Sequence, residues 1–86
     1  MKTEDVIKYP LATEKSIRLM ESENKLIFVV DMRANKFDIK KAIEETFKVK
    51  VVNVRTYVTP ASQKRAYVRF SSETPAIDVA TNLGLM

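Results

Sequence analysis

The sequence lacks two residue types on which many catalytic and metal sites depend. Its 86 residues include no cysteine and no histidine. Disulfides and thiolate metal sites are therefore excluded, and the side chain that most often acts as a general base is missing. The single glycine, Gly84, lies near the C-terminus, so no glycine-rich loop is present to hold a nucleotide phosphate. These absences argue against an enzyme, and we expect no cofactor, no bound metal and no small-molecule substrate.

The acidic residues do not supply the missing chemistry. Glu44 and Glu45 are neighbours on a predicted helix, about 100° apart, and cannot converge on one bond as a catalytic pair would. A strand end and a helix cap are sufficient explanations for Asp31 and Asp38.

Long apolar runs are also missing. No stretch approaches the ~20 apolar residues that a membrane span needs, and residues 1–17 carry charges throughout, without the apolar core of a signal peptide. A chain of 86 residues is long enough for one hydrophobic core but not for a core and a deep substrate cavity. We therefore expect one soluble domain, residues 1–86, in the cytoplasm and away from membranes.

The formal charge of +4 is distributed unevenly. Residues 1–45 hold 9 basic and 9 acidic residues, whereas residues 46–70 hold 6 basic residues and no acidic one. Such a segment favours a polyanion partner, because lysine and arginine gain free energy by releasing counterions from phosphates. A solvated face that only keeps the protein soluble explains the charge equally well. The six residues are Lys48, Lys50, Arg55, Lys64, Arg65 and Arg69.

Local patterns predict three elements in the first half. Residues 6–9 are predicted as an edge strand that Pro10 ends, because proline cannot donate to a sheet ladder. Thr13 is predicted to cap a helix over residues 14–21, and Asn24 is a natural turn residue after it. Residues 25–31 are predicted as a central strand covered on both faces, since both alternating sets of side chains are apolar.

The next helix is predicted over residues 36–47. Asn35 and Asp38 resemble a capping box at its start, and Phe37 falls off the apolar stripe, which predicts an exposed ring. The stripe comprises Ile39, Ala42, Ile43, Thr46 and Phe47.

The second half is predicted as a β-hairpin followed by a helix. Residues 49–58 and 64–70 are the two strands, with a turn at residues 59–63. Thr74 is predicted to cap the last helix, with Pro75 at its first position and Gly84 as its stop. The inner face of that helix comprises Ala76, Val79, Ala80 and Leu83.

The order of elements is strand, helix, strand, helix, strand, strand, helix. A strand–helix–strand crossover followed by a hairpin lets the last strand return between the two strands that the crossover joins. The predicted fold class is therefore α+β, a small, mainly antiparallel four-stranded sheet with helices packed on it.

The hairpin is the part of the chain where binding chemistry can be assembled. Alternation places Arg55 and Tyr57 on one face of its first strand, with Val52, Val54 and Val58 on the other. In the second strand, Arg65, Tyr67 and Arg69 share a face. Arginines bind phosphates, and tyrosine rings stack on bases, although we expect each tyrosine ring to pack beneath a helix with only the arginine ends emerging.

One local match suggests a different RNA-binding fold. Residues 66–70, Ala-Tyr-Val-Arg-Phe, match the end of the RNA-recognition-motif consensus. Lys64 and Arg65 occupy positions where that consensus has glycine and an aromatic residue, and that fold ends with a helix and then a strand. The match is weak, but a free-standing module that binds single-stranded RNA stays open as an alternative, and a protein–protein adaptor is a further possibility.

Several segments taken together resemble the family of large-subunit ribosomal protein twenty-three. Residues 7–15 are similar to its Ile-x-x-Pro-x-x-Thr-Glu-Lys signature, and the likeness continues in order over essentially the whole chain. The other segments that carry it are residues 24–31 (NKLIFVVD), 34–36 (ANK), 39–40, 42–44, 47–51 and 64–68 (KRAYV).

This resemblance implies a structural protein that binds large-subunit rRNA at the rim of the nascent-chain exit tunnel. It implies a neighbouring protein, number twenty-nine of the large subunit, and a docking role for the signal recognition particle. The short turn around Pro60 resembles the archaeal form, so chaperone docking known from bacterial members is not carried over. Where many relatives have asparagine, this chain has Arg55, which offers a phosphate contact instead.

The basic pattern and the resemblance together predict a set of RNA-binding residues. Lys15 and Lys36 enter this set only through the resemblance, because they lie in the neutral half. The predicted residues are Lys8, Thr13, Lys15, Arg33, Lys36, Lys40, Lys50, Arg55, Tyr57, Lys64, Arg65 and Arg69.

Overall fold

The computed structural model describes residues 3–82. The predictions that Leu83 lies on the inner face of the last helix and that Gly84 ends it concern residues outside this range. Its elements confirm the predicted order, with one additional helical turn at the start. They are α1 (Thr3–Val6), β1 (Ile7–Pro10), α2 (Glu14–Glu23), β2 (Lys25–Val30), α3 (Lys36–Phe47), β3 (Val51–Val58), β4 (Lys64–Phe70) and α4 (Ala76–Asn82).

The four strands form one sheet in the order β1-β2-β4-β3. All three neighbouring pairs are antiparallel. The last strand therefore lies between β2 and β3, the two strands that α3 joins, as predicted. This arrangement confirms the α+β fold class.

The central strand β2 is covered on both faces. Leu26, Phe28 and Val30 belong to the main hydrophobic core. Ile27 and Val29 point to the opposite face and are still only 3% and 2% exposed. A strand that is apolar on both alternating sets therefore occupies the middle of the sheet, where neither face is open to water.

Helix α3 covers the core side of the sheet. Ile39, Ala42 and Ile43 are buried, and the ring of Phe47 stacks on that of Phe28 with 6.1 Å between centroids. The prediction that Thr46 joins the inner stripe is wrong, because Thr46 is exposed. The buried stripe of α3 is narrower than its sequence pattern indicated.

Two of the three predicted N-caps, Thr13 and Asn35, are confirmed, and each forms a reciprocal capping box. The Ser16 N–H donates to Thr13 Oγ1 at 3.2 Å, and the Thr13 N–H donates to Ser16 Oγ at 2.8 Å. The Asp38 N–H donates to Asn35 Oδ1 at 2.8 Å, and the Asn35 N–H donates to Asp38 Oδ2 at 3.2 Å. These bonds satisfy backbone N–H groups that a helix start leaves without intrahelical partners.

Several predicted boundaries shift by one or two residues. Val6 belongs to α1 and is buried, so the first strand begins at Ile7 and includes Pro10, which pairs with Phe28. Proline is tolerated there because β1 is an edge strand with one side unpaired. Helix α2 extends to Glu23, β2 ends at Val30, and β3 begins at Val51.

An extra residue in β3 changes which valines face the core. Val51 pairs with Phe70, while the next registered pair is Asn53 with Arg69, so two residues of β3 match one step along β4. Such a bulge lets Val51 and Val54 both point inward. Val52, expected on the face of Val54, is instead 61% exposed.

Asn24 holds the start of α4, where a cap by Thr74 was predicted. Helix α4 begins at Ala76, whose N–H donates to Asn24 Oδ1 at 2.6 Å. The Asn24 amide also donates to the carbonyls of Phe70, Ser71 and Thr74, each at 3.1 Å. Asn24 adopts the left-handed conformation with φ of 56°, which asparagine tolerates well. One side chain thus ties the end of α2 to the segment between β4 and α4.

Candidate nucleic-acid interface

The polar side chains of the hairpin form one surface, here called the outer face. Cross-strand pairs place Asn53 opposite Arg69, Arg55 opposite Tyr67, and Tyr57 opposite Arg65. These side chains point away from Val54, Ala66 and Val68, which belong to the main core. The arginines and tyrosines of both strands therefore share one side of the sheet, a point that alternation within each strand left open. The outer face consists of Asn53, Arg55, Tyr57, Arg65, Tyr67 and Arg69.

Two tyrosines form a pair in the middle of the outer face. The rings of Tyr57 and Tyr67 lie 5.4 Å apart at an angle of 54°, with their hydroxyl oxygens 3.3 Å apart. Tyr57 is 41% exposed, so the expectation that its ring packs beneath a helix is wrong. Tyr67 is half-buried. At least one ring is therefore accessible for stacking.

The surroundings of Tyr57 are electropositive. A hydrogen bond with the Tyr67 hydroxyl lowers the pKa of Tyr57 below its usual value, and a second bond from Arg65 acts in the same direction. The Arg65 Nη1 lies 3.5 Å from the Tyr57 hydroxyl, and its Nε donates to Gln63 Oε1 at 2.7 Å. Arg65 is thus held in place with its charge on the outer face. A lowered phenol pKa is the expected response to nearby positive charge.

Helix α2 brings Lys15 to the same surface. Its Nζ lies 5.6 Å from the centroid of the Tyr67 ring, within the range of a cation–π contact. The Thr13 cap sets the start of α2 two residues before Lys15, so the helix start fixes where this lysine points. A lysine from the charge-neutral half of the sequence therefore joins the arginines of the hairpin.

Two open cavities mark this surface, and no residue that lines either of them is acidic. The first has a volume of about 240 Å³ and is lined in part by Lys15, Lys25, Arg55 and Arg69. The second, about 500 Å³, is lined by Lys15, Arg55, Thr56, Tyr57 and Tyr67. Cations around exposed aromatic rings suit a chain of phosphates and bases.

Sequence reasoning missed Lys25, because it belongs to β2 and lies outside the basic segment. It pairs in register with Arg69, which places it beside the outer face. Its Nζ lies 3.3 Å from a Glu23 carboxylate oxygen, so part of its charge is already offset. The register of β2 against β4 is the signal that identifies it.

A groove lies between the start of α3 and the edge strand β3, and it is here called the edge groove. Lys36 and Lys40 of α3 line it. Its volume is about 150 Å³. Asn53 also lines the first cavity of the outer face, so the two surfaces are continuous. The edge groove is lined by Lys36, Phe37, Lys40, Val52, Asn53 and Val54.

Two predicted RNA-binding residues have polar partners within the protein. Arg33 forms an ion pair with Asp31, with Nε 3.2 Å from Oδ1, and its hydrogen bonds lower the pKa of that carboxyl. Lys64 donates to the Ala34 carbonyl at 2.6 Å. Neither residue lines the cavities of the outer face or the edge groove.

The remaining predicted residues are dispersed. The Thr13 hydroxyl accepts the Ser16 N–H in the cap of α2. Lys8 is exposed on the edge strand β1, and Lys50 is exposed just before β3. The structure thus brings together Lys15, Arg55, Tyr57, Arg65 and Arg69, and places Lys36 and Lys40 beside them.

Two features of other protein classes are absent from residues 3–82. No helix there has the length and apolar character needed to cross a membrane. Those residues also contain no group of acidic side chains arranged to hold a metal ion.

Comparisons with known proteins agree with the resemblance in sequence. The family model described as Ribosomal protein L23 matches residues 5–80. A protein of Caldivirga maquilingensis named Large ribosomal subunit protein uL23 is 50% identical over 86 residues, with both chains covered completely. The protein of that name from Methanococcus aeolicus is 46% identical over 81 residues, 94% of each chain.

A longer relative aligns over only part of its length. The protein of the same name from Trypanosoma brucei brucei is 46% identical over 81 residues, which are 94% of this chain and 49% of that protein. The family match covers most of the chain, and the two archaeal relatives align over nearly all of it. The chain therefore belongs to the ribosomal protein L23 family.

Proposed function

We propose that this chain binds large-subunit rRNA through its outer face, at the rim of the nascent-chain exit tunnel. Family membership makes it a structural constituent of the large ribosomal subunit, bound to ribosomes in the cytoplasm, and not an enzyme. The observation that supports rRNA binding most directly is the convergence of Lys15, Arg55 and Arg69 on one cavity with no acidic residue in its lining.

Electrostatics explains why this surface suits a folded RNA. Arg55 and Arg69 form no ion pair within residues 3–82, so their charges are available for phosphates. Each phosphate that a lysine or arginine neutralises releases counterions, and the affinity then falls with salt by a log–log slope of about 0.7–0.9 per contact. Sheet register holds the hairpin arginines at fixed spacings, which favours a defined RNA surface over a flexible strand.

A charge-removal experiment tests this proposal. The double variant Arg55→Gln/Arg69→Gln should bind transcribed large-subunit rRNA more weakly and lower the magnitude of the salt slope by about 1.4–1.8. The matched control is Arg18→Gln/Arg33→Gln, which also removes two exposed arginines, but ones already paired with Glu14 and Asp31. The control should change the slope much less. Equal effects of both variants would contradict an RNA site on the outer face.

Association with ribosomes provides a second test. Tagged protein should sediment with large subunits through a sucrose gradient, and the outer-face variant should be depleted from that peak. Recovery of the wild-type protein only in the free fractions would overturn the proposal.

The location at the exit tunnel, contact with ribosomal protein twenty-nine and docking of the signal recognition particle are supported by the family resemblance. Exposed acidic residues on α2, including Glu21, leave a surface of opposite charge for such partners. A photo-reactive residue at position 21 should cross-link to protein twenty-nine or to the particle on ribosomes with a stalled signal sequence. Adducts with neither would remove the support for this docking role.

A second candidate function is a free-standing module that binds single-stranded RNA. The exposure of Tyr57 beside Tyr67 favours it, because paired rings at a sheet surface can stack on bases. The variant Tyr57→Ala/Tyr67→Ala should then abolish binding of an unstructured oligouridine. Under the ribosomal proposal, the wild-type protein prefers folded rRNA, and an excess of oligouridine should not displace it.

A further inference from the structure

We propose that the edge groove binds one unstacked nucleotide of rRNA, with its base on Phe37 and its phosphate between Lys36 and Lys40. This inference rests on the proposed function, since it assumes that the chain contacts RNA. It concerns a second place on the molecule, separate from the tyrosine pair of the outer face.

The first observation is the position of Phe37. Its side chain is 73% exposed, although phenylalanine is normally buried. The ring lies in the first turn of α3, a helix of 12 residues that the Asn35–Asp38 capping box starts. The ring is therefore presented to solvent by a rigid element. The Lys36 Nζ lies 5.8 Å from the ring centroid, so a cation already accompanies it.

The second observation is that the groove has an apolar wall on its other side. The bulge in β3 leaves Val52 61% exposed, and Val52 lines the groove together with Phe37. Two apolar side chains from different elements therefore border one narrow space. At about 150 Å³, the groove is smaller than the roughly 300–1,000 Å³ typical of pockets for drug-sized ligands. Its size suits a single flat ring.

The positive charge of the groove favours a nucleotide over an uncharged apolar ligand. Lys36 and Lys40 are one helical turn apart and both line the groove, whereas no acidic residue does. The nearby carboxylate of Asp38 accepts the Asn35 N–H at 3.2 Å in the capping box. An apolar slot flanked by two cations matches a base joined to a phosphate.

Asn53 links this groove to the outer face. It lines both the groove and the cavity that contains Arg55 and Arg69, and its amide can donate to and accept from a base edge. An RNA strand that contacts the arginines can therefore continue over the edge of β3 into the groove. This continuity favours RNA over an acidic protein segment as the occupant.

Substitution of the ring is the first test. Phe37→Ala should weaken binding of transcribed large-subunit rRNA by about 5- to 150-fold, the range found when a stacking residue is removed. The salt slope should stay unchanged, because no charge is lost. Phe37→Tyr should retain the affinity. The control Ile77→Ala removes another exposed apolar side chain, 45% exposed on α4, and should have no effect. Thermal melts of all variants report whether they fold.

Cross-linking separates failure of this inference from failure of the proposed function. Ultraviolet irradiation of the rRNA complex should attach a nucleotide to the tryptic peptide of residues 37–40. If Phe37→Ala binds as tightly as wild type and no adduct maps to this peptide, the groove assignment is overturned while rRNA binding stands. If the wild-type protein shows no salt-dependent rRNA binding, both proposals fail. An adduct of Phe37 with protein alone, in assembled subunits, would also overturn the nucleotide assignment.

Discussion

The two faces of the sheet differ in how their charged and polar groups are satisfied. On the core side, Phe28 and Val68 are fully buried, and a cation at the rim, Lys64, donates to the Ala34 carbonyl. On the outer face, Arg55 and Arg69 have no carboxylate partner within residues 3–82. Exposed cations at fixed positions contribute little to the free energy of folding, but without an ion-pair partner their charge stays available to a polyanion.

Buried apolar side chains and exposed cations therefore lie on opposite sides of the same strands. In β4, Ala66 and Val68 are buried while Tyr67 and Arg69 reach the surface. Because successive side chains alternate, a single strand can serve both purposes without conflict.

The largest contrast is expected when one aromatic residue is removed from each face. Phe28→Ala should lower the free energy of unfolding by about 3–5 kcal/mol, because it leaves a cavity beneath α3. Tyr57→Ala should lower it by about 0.5–1.5 kcal/mol, the value of one aromatic pair. Urea denaturation measures both. Equal losses would mean that the outer face contributes to the fold as much as the core does.

A comparison of two asparagines should give the next largest difference. Asn24→Ala should lower the free energy of unfolding by about 2–4 kcal/mol. The side-chain amide of Asn24 donates to three carbonyls near the start of α4 and accepts the N–H of Ala76, and its removal leaves these groups without that partner. Asn53→Ala, at an exposed position, should change stability by about 0.5 kcal/mol or less. The same denaturation experiment applies, and a mild effect of Asn24→Ala would show that water replaces these bonds.

A smaller effect is expected from single charges in the neutral half of the sequence. Lys15→Gln should lower the magnitude of the salt slope for rRNA binding by about 0.7–0.9, since its Nζ lies beside the Tyr67 ring. Arg33→Gln should change the slope much less, because Arg33 is paired with Asp31. Filter binding at several salt concentrations distinguishes them. A larger effect of Arg33→Gln would move the interface away from the outer face.

The smallest effect concerns ionisation of the tyrosine pair. One phenol should titrate below its usual pKa when absorbance is followed into alkaline pH, and Tyr67→Phe should return that pKa toward normal. The folded pKa is lowered, so this ionisation contributes its full stabilisation above the pKa of the unfolded chain. That contribution is lost as the pH falls through the folded pKa, and neutral-pH stability should not change. A normal titration in the wild type would contradict the hydrogen-bonded geometry.

Much of the fold follows from local patterns. The two apolar sets of residues 25–31 predicted a central strand, and the Thr13 and Asn35 caps were both confirmed. These features are readable because strand alternation and helix capping depend on residues only a few positions apart. The bulge at Val52 was missed, since an extra residue in one strand is defined only by its partner strand.

The candidate site could be predicted only in part. Alternation grouped Arg55 with Tyr57 in one strand and Arg65 with Arg69 in the other, but only the register shows that both groups share one side. Strand periodicity could not show that the Tyr57 side chain is exposed, because its exposure depends on how the helices pack on the sheet. Lys25 was overlooked because its proximity to Arg69 comes from pairing between β2 and β4.

The amino-acid sequence is enough to establish that histidine and cysteine chemistry is absent, to predict the order of elements and to locate the acid-free basic segment, residues 46–70. Which cations of the whole chain share one surface follows only from how the elements pack. In the folded protein, Lys15 lies beside the hairpin, Lys64 donates to the Ala34 carbonyl, and Asn24 caps a helix 52 residues further along the chain. The physical reason is that local hydrogen bonding sets each element, whereas contacts between distant residues depend on register and packing.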